Sequence, residues 1–315
     1  MKLRIPIMAA CLLFIVTAAA QTPKNIIVMI SDGCGFEHVR SLNYYQYGRD
    51  SMLVFQSFPV QLAVSTWSLD GETWDVAHSM HSAQAILERP TDSAASGTAL
   101  STGVKTWNGY LGMDGWARPL RHITELGYDR GKAVGLVTTV VFAHATPASF
   151  AVHQRERSDY AVIARWLLTQ SNVRVLMGCG NPAILAADST NYQPRDFRYA
   201  GDSDTWNSVL ASAPMADCDN DGVGDPWTVI FSRGAFCKLA QGDAPKRLLG
   251  VPRAGKATQV YRGGDPEADA FAVPLDDSVP SLAEMSLAAL NVLDDDPDGF
   301  FLMIEGGAVD KAAHS

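Results

Sequence analysis

The chain has 315 residues, 47% of them hydrophobic and only 19% charged, with a formal net charge of -9. That is enough apolar material for a large core, as one big domain or two smaller ones. An acidic balance without a basic cluster argues against nucleic-acid binding, because nothing would neutralise phosphate backbones.

The first 20 residues read as a signal peptide. Lys2 and Arg4 precede an apolar run over residues 5–16, and Ala18-Ala19-Ala20 before Gln21 reads as the cleavage site. The run is too short for an ordinary membrane span. The mature chain, residues 21–315, is therefore expected to be periplasmic or secreted, with no membrane span. In that oxidising setting Cys218 and Cys237 are close enough in sequence for a local disulfide, although spacing alone does not fix the pairing.

From there the chain alternates. Residues 24–30 (KNIIVMI), 133–138 (AVGLVT), 173–177 (VRVLM) and 300–304 (FFLMI) read as buried parallel strands. Residues 159–168 and 281–293 carry helical patterns, the second with a Glu near its start. The expected fold is α/β, with a mostly parallel central sheet flanked by helices. In such sheets chemistry gathers at the carboxyl ends of the strands, where Asp32 and Glu305 fall. Residues 186–280, rich in Asp, Gly, Pro, Asn and Ser, read as an insertion or cap on the sheet.

Four segments carry the chemistry. Asp32 follows the first strand inside Ser-Asp-Gly-Cys-Gly, where glycines allow close approach to a ligand; a plain strand-ending turn is the bland alternative. Ser93 sits among small residues at the start of a helical run, in the positive potential of a helix N-terminus; a simple capping serine is its bland alternative. His144-Ala-Thr146-Pro leads into His153-Gln-Arg155-Glu-Arg157, which taken alone is a solvated charge run. In Glu305-Gly-Gly-Ala-Val-Asp310-Lys311-Ala-Ala-His314, Asp310 and His314 are four apart, one helical turn, so a carboxylate and an imidazole face the same way.

Together these strings resemble the alkaline phosphatases. The stretch TDSAASGTALSTGVKTWNG, residues 91–109, is highly specific to the nucleophile segment of that family, and the other strings follow in the family's order. The resemblance covers residues 24–184 and 281–314. It implies hydrolysis of small-molecule phosphate monoesters through a phosphoserine, with two Zn2+ and one Mg2+. Ser93 would be the nucleophile and Asp92 would position the phosphate-gripping Arg157, with Arg155 as the fallback. Asp32 would bridge a zinc and the magnesium, and Thr146 and Glu305 would bind magnesium. Asp310 and His314 would bind one zinc, and Asp32 and Ser93 the other. His144 and Lys311 would stand behind the ligands. Some members carry Asp and others His at the position of His144, so a His there implies altered magnesium affinity or zinc occupancy. Dimers are usual in the family, which makes a homodimer the expectation for partners.

In the family the chain continues with a strand bearing an Asp-His pair and a later His, which complete the zinc sites. The chain as written, an N-terminal part that is incomplete at the C-terminus, is therefore expected to bind zinc poorly and turn over little. One further string, Asp217-Cys-Asp219-Asn-Asp221-Gly-Val-Gly-Asp225, fits a short calcium loop, with a solvated acidic turn as an equal alternative. Two other functions stay in view: a secreted Ca2+-binding protein on a dead phosphatase scaffold, and a phosphodiesterase of the same superfamily. A sulfatase motif is absent from the sequence.

Overall fold

The computed structural model describes residues 23–70, 90–187, 196–265, 267–269 and 271–314. The signal-peptide reading lies outside the described residues.

The first strand, β1 (Ile26–Ser31), leads through Asp32-Gly33 into helix α1 (Phe36–Tyr47). Helix α2 (Ser93–Thr102) and the short α3 (Ile123–Tyr128) precede β2 (Ala133–Val141). A four-residue helix, α4 (Ala145–Ala148), and α5 (Tyr160–Thr169) lead to β3 (Val175–Cys179) and α6 (Pro182–Ala187). Then come α7 (Ser203–Leu210), β4 (Thr228–Ile230), α8 (Arg233–Leu239) and β5 (Leu248–Gly250). The described chain closes with α9 (Leu282–Leu293), β6 (Phe300–Gly306) and α10 (Ala308–Ala313).

The six strands form one sheet in the order β1-β6-β2-β3-β5-β4, and every pairing is parallel. The fold is thus α/β with a parallel central sheet. Parallel strands need crossover connections, and the helices that supply them cover the two faces. On one face Leu136, Leu176 and Met303 pack against Ile163, Leu167 and Trp206. On the other Val137, Val175 and Leu302 pack against Met285, Ala289 and Leu293 of α9. Ser281 caps α9 by accepting from Glu284 N, and Glu284 Oε2 accepts from Ser281 N, a closed capping box.

Two readings of the sequence change: residues 24–30 as a buried strand, and a Cys218–Cys237 disulfide. Residues 24–30 form a parallel strand, but not a buried one: β1 lies at the sheet edge, paired only with β6 among the described residues, and Ile27 and Met29 are 48% and 75% exposed. An apolar run reports strand tendency without saying whether both faces are covered. In the polar region 186–280, the three-residue strands β4 and β5 extend the central sheet beyond β3. The Cys218–Cys237 disulfide is also absent: Cys34, Cys179, Cys218 and Cys237 are all free thiols. Cys218 is buried, whereas Cys237 is exposed with Sγ 3.4 Å from Glu284 Oε1.

Candidate active site

The carboxyl ends of β1, β6 and β2 lie side by side, because Ile30 pairs with Glu305 and Glu305 pairs with Thr138. Residues just past those ends are brought together whatever their separation in sequence. Asp32 leaves β1, Glu305 closes β6 ahead of α10, and His144 and Thr146 follow β2.

Ser93 is the first residue of α2, and Asp92 rather than Ser93 caps it: Asp92 Oδ1 accepts from Ala95 N at 2.8 Å. This leaves the Ser93 hydroxyl free to point outward. It donates to Asp32, with Oγ 3.0 Å from Oδ2 and 3.2 Å from Oδ1. The other oxygen of Asp92 accepts from Gly109 N at 3.0 Å and from Arg157 Nη1 at 2.9 Å. Asn108 Oδ1 accepts from Asp92 N at 3.0 Å, so residues 108–109 close a frame around the start of α2. Asp92 and Arg157 are both about three-quarters buried, and the pair fixes the guanidinium beside Ser93.

Glu305 is fully buried. Its Oε2 accepts from Thr138 Oγ1. Its Oε1 has no hydrogen-bond partner, and neither has the buried Thr146 Oγ1 close by. Burial, opposed chiefly by the Thr138 hydroxyl and reinforced by Asp32 and Asp310, pushes the Glu305 pKa up to about 7. Asp32 is raised too, first by burial and then by Asp310, against the bond from Ser93. Burial and the charges of Arg157 and Lys311 push His144 down to about 3, which makes it a neutral ring at working pH. Its Nδ1 is buried without a partner, and its ring stacks on Tyr160 at 6.4 Å.

Asp310 approaches Gly33 so closely that a Cβ there would stand 2.7 Å from Asp310 Oδ1. Gly33 also has φ +63°, so it meets two demands that other residues meet poorly. Asp310 Oδ1 lies 3.3 Å from His314 Nε2, and Asp310 Oδ2 lies 3.1 Å from Lys311 Nζ. The geometry therefore gathers Asp32, Ser93, Asp92, Arg157, His144, Thr146, Glu305, Asp310, Lys311 and His314 in one region. Thr138, Asn108 and Gly109 belong to the same frame and carry no chemical signature of their own in sequence. Arg155 has its backbone N bonded to Gln154 Oε1, and among the described residues the arginine paired with Asp92 is Arg157.

The acidic loop behaves differently. Asp217 accepts backbone N–H bonds from Asp219, Asn220 and Gly222, winding the loop on itself. Asp219, Asp221 and Asp225 converge on Lys246 Nζ at 3.0, 2.9 and 2.7 Å. A lysine ammonium stands among the carboxylates that the calcium reading assigned to an ion.

Residues 23–315 match the alkaline phosphatase family. The chain belongs to that family. Among curated relatives it is 28% identical to alkaline phosphatase H of Pseudomonas aeruginosa, over 93% of this chain and 61% of that protein. It is equally 28% identical to the alkaline phosphatase of Escherichia coli, over 93% of this chain and 62% of that one. Among solved structures it resembles the cold-active alkaline phosphatase of a Shewanella species, with TM-score 0.63 and 25% identity over 92% of this chain and 58% of that one. The Thermus thermophilus alkaline phosphatase gives TM-score 0.62 and 28% identity, over 92% and 51%. The chain thus spans about three-fifths of the length of these curated relatives.

Proposed function

We propose that this chain carries the nucleophile, the phosphate clamp and part of the metal-binding set of an exported phosphomonoesterase. The observation that supports this best is the Ser93 hydroxyl held on the Asp32 carboxylate at a helix N-terminus, beside an arginine tethered by the helix-capping Asp92.

The residues present fit a hard cation. Thr146 Oγ1 and Glu305 Oε1 are buried oxygens without partners, and such groups are costly unless something satisfies them. Thr146, Glu305 and Asp32 would hold magnesium, Asp310 and His314 one zinc, and Asp32 with Ser93 the other. Bound there, such ions supply positive charge that favours the Ser93 alkoxide and offsets that of the phosphate dianion.

The side chains do the rest. Ser93 Oγ gives up its proton and attacks phosphorus, the O–P bond to the ester oxygen breaks, the alcohol leaves with a proton from water, and a phosphoserine forms; water then attacks phosphorus, the Oγ–P bond breaks, inorganic phosphate leaves and Oγ regains a proton. Asp32 orients Oγ and accepts its hydrogen bond. Arg157 grips two equatorial oxygens with its planar fork, where an ammonium would grip one. The start of α2 adds N–H groups and a positive dipole end where charge develops. Neutral His144 adds no charge to the pocket, and Lys311 is held near it by Asp310.

Export to the periplasm or beyond follows from the reading of residues 1–20. No helix among the described residues is long and apolar enough to cross a membrane. The test is hydrolysis of p-nitrophenyl phosphate against bis-p-nitrophenyl phosphate by the wild type and Ser93→Ala, with zinc and magnesium supplied. Low monoester turnover that Ser93→Ala abolishes supports the proposal. Preference for the diester points to a phosphodiesterase, and turnover indifferent to Ser93 overturns the reading.

A further inference from the structure

Outside the Ser93 region, three metal-ligating side chains converge at the start of α3. His122 and Glu125 lie at and within its first turn, and His153 approaches from the segment that leads to Arg157. One ligand atom from each of the three lies within 4.8 Å of the other two. His122 is completely buried, and neither of its ring nitrogens makes a hydrogen bond. A buried imidazole with two idle nitrogens is costly unless a partner is supplied.

The geometry points to a divalent transition-metal site of the zinc type formed by His122, Glu125 and His153. His122 Nδ1 lies 3.4 Å from Glu125 Oε2. Two ligand atoms on a tetrahedral zinc, with bonds of about 2.0–2.1 Å, sit about 3.3 Å apart. The same pair is thus spaced for a shared ion and too long for a strong hydrogen bond. His153 Nε2 stands 2.7 Å from Leu120 O, and a carbonyl only accepts, so Nε2 carries the proton and Nδ1 keeps its lone pair. A ligating histidine that donates its other N–H to a backbone carbonyl is the usual way its ring is aimed at a metal. The two rings lie 4.4 Å apart and tilted by 34°, side by side at one pocket.

Glu125 is also pre-oriented, since His122 N donates to Oε2 at 2.8 Å. Two nitrogens and one carboxylate make a three-ligand site that leaves a fourth position for water. Glu125 and His153 both border cavities, one lined by Leu120 and Arg121 and one by Trp166 and Gln170, which give an ion access. None of the three ligands belongs to the Ser93 region. A metal here would tie the start of α3 to the segment that Leu111 and Gln154 pin and that ends at Arg157.

The test uses the full chain carrying Asp32→Asn and Asp310→Asn, which removes ligands proposed for the Ser93 region, and Zn2+ as the probe. Titration against a chromophoric chelator should find one zinc equivalent. Adding Glu125→Gln or His153→Gln should weaken it at least about tenfold. Both variants avoid the fully buried His122, and circular dichroism of the metal-free proteins checks that they fold. Crystals soaked in Zn2+ should show an anomalous peak among the three side chains. No peak there, or equal zinc affinity in parent and variants, overturns the site.

Discussion

Ser93 Oγ lies 3.0 Å from Asp32 Oδ2 although 61 residues separate the two in sequence. Asp32 arrives at the end of an edge strand, and Ser93 at the start of a helix framed by Asn108 and Gly109. Two independent supports therefore set one nucleophile, and changes to either support should reach the chemistry.

Arg157→Lys keeps the charge and loses the two-pronged grip. We expect kcat/KM for a phosphate monoester to fall roughly 10–100-fold with unchanged thermal stability. Asp92→Asn should separate two roles of one side chain. Asparagine caps a helix about as well as aspartate, so stability should fall only by the lost Gly109 bond, about 1–3 kcal/mol, while the untethered Arg157 raises KM and the inhibition constant for inorganic phosphate. Steady-state kinetics beside thermal melts check both. A large loss of stability in Asp92→Asn would mean that its charge holds α2 rather than Arg157.

The buried Glu305 predicts a pH-dependent stability in the metal-free protein. Its carboxyl titrates near 7 in the fold, against an ordinary 4.5 in the unfolded chain. Folded protein therefore keeps a proton that the unfolded chain has lost. The contribution is fully present below about pH 4.5 and declines as pH rises toward 7, by roughly 3 kcal/mol in all. Urea unfolding in EDTA should show that decline in the wild type and a flatter profile in Glu305→Gln. Parallel profiles would contradict the assignment.

Helix α2 packs against α4 through Gly97. A Cβ at that position would stand 2.2 Å from Ser149 Oγ and 3.7 Å from Thr146 Cα. Gly97→Ala should cost about 1–3 kcal/mol by overpacking, beyond any gain in helix propensity. It should also lower monoester turnover, because the displaced helix carries Ser93 on one side and crowds Thr146 on the other. Chemical denaturation and kinetics on the same preparation test this; an alanine that stabilises the protein would show that the two helices have room.

Thiol chemistry should follow burial. Burial pushes Cys179 up to about 12, and burial with the nearby Asp225 pushes Cys218 up to about 12. Native alkylation with iodoacetamide followed by peptide mass spectrometry should mark the exposed Cys237 and spare both buried thiols. Labelling of Cys179 in folded protein would contradict the packing of β3.

Sequence resolved the strands that carry the site better than the periphery. The runs at 133–138 and 300–304 become β2 and β6, because central parallel strands buried on both faces leave continuous apolar stretches. The same signal misread β1, since an apolar run is silent about whether both faces of the strand are covered. Strands β4 and β5 are three residues each in a polar region, too short to produce a periodic pattern. Within the site, Asp92 and Arg157 were legible only through a family resemblance; alone, an Arg-Glu-Arg run reads as solvated. Asn108 and Gly109 were legible only as the end of the family string, and Thr138 not at all, because their work is done by position and backbone. His122 and His153 lie 31 residues apart and meet only through tertiary packing, as does Lys246 with the acidic loop.

The function proposed for this chain requires that Ser93 accept the phosphoryl group. Incubating the protein with a phosphate monoester, zinc and magnesium, quenching in acid and mapping the phosphopeptides tests it directly. Phosphate is expected on Ser93, lost in Ser93→Ala together with the low monoester turnover that poor zinc binding allows this chain. Turnover with no phosphorylated Ser93, or with the label on another residue, would contradict it.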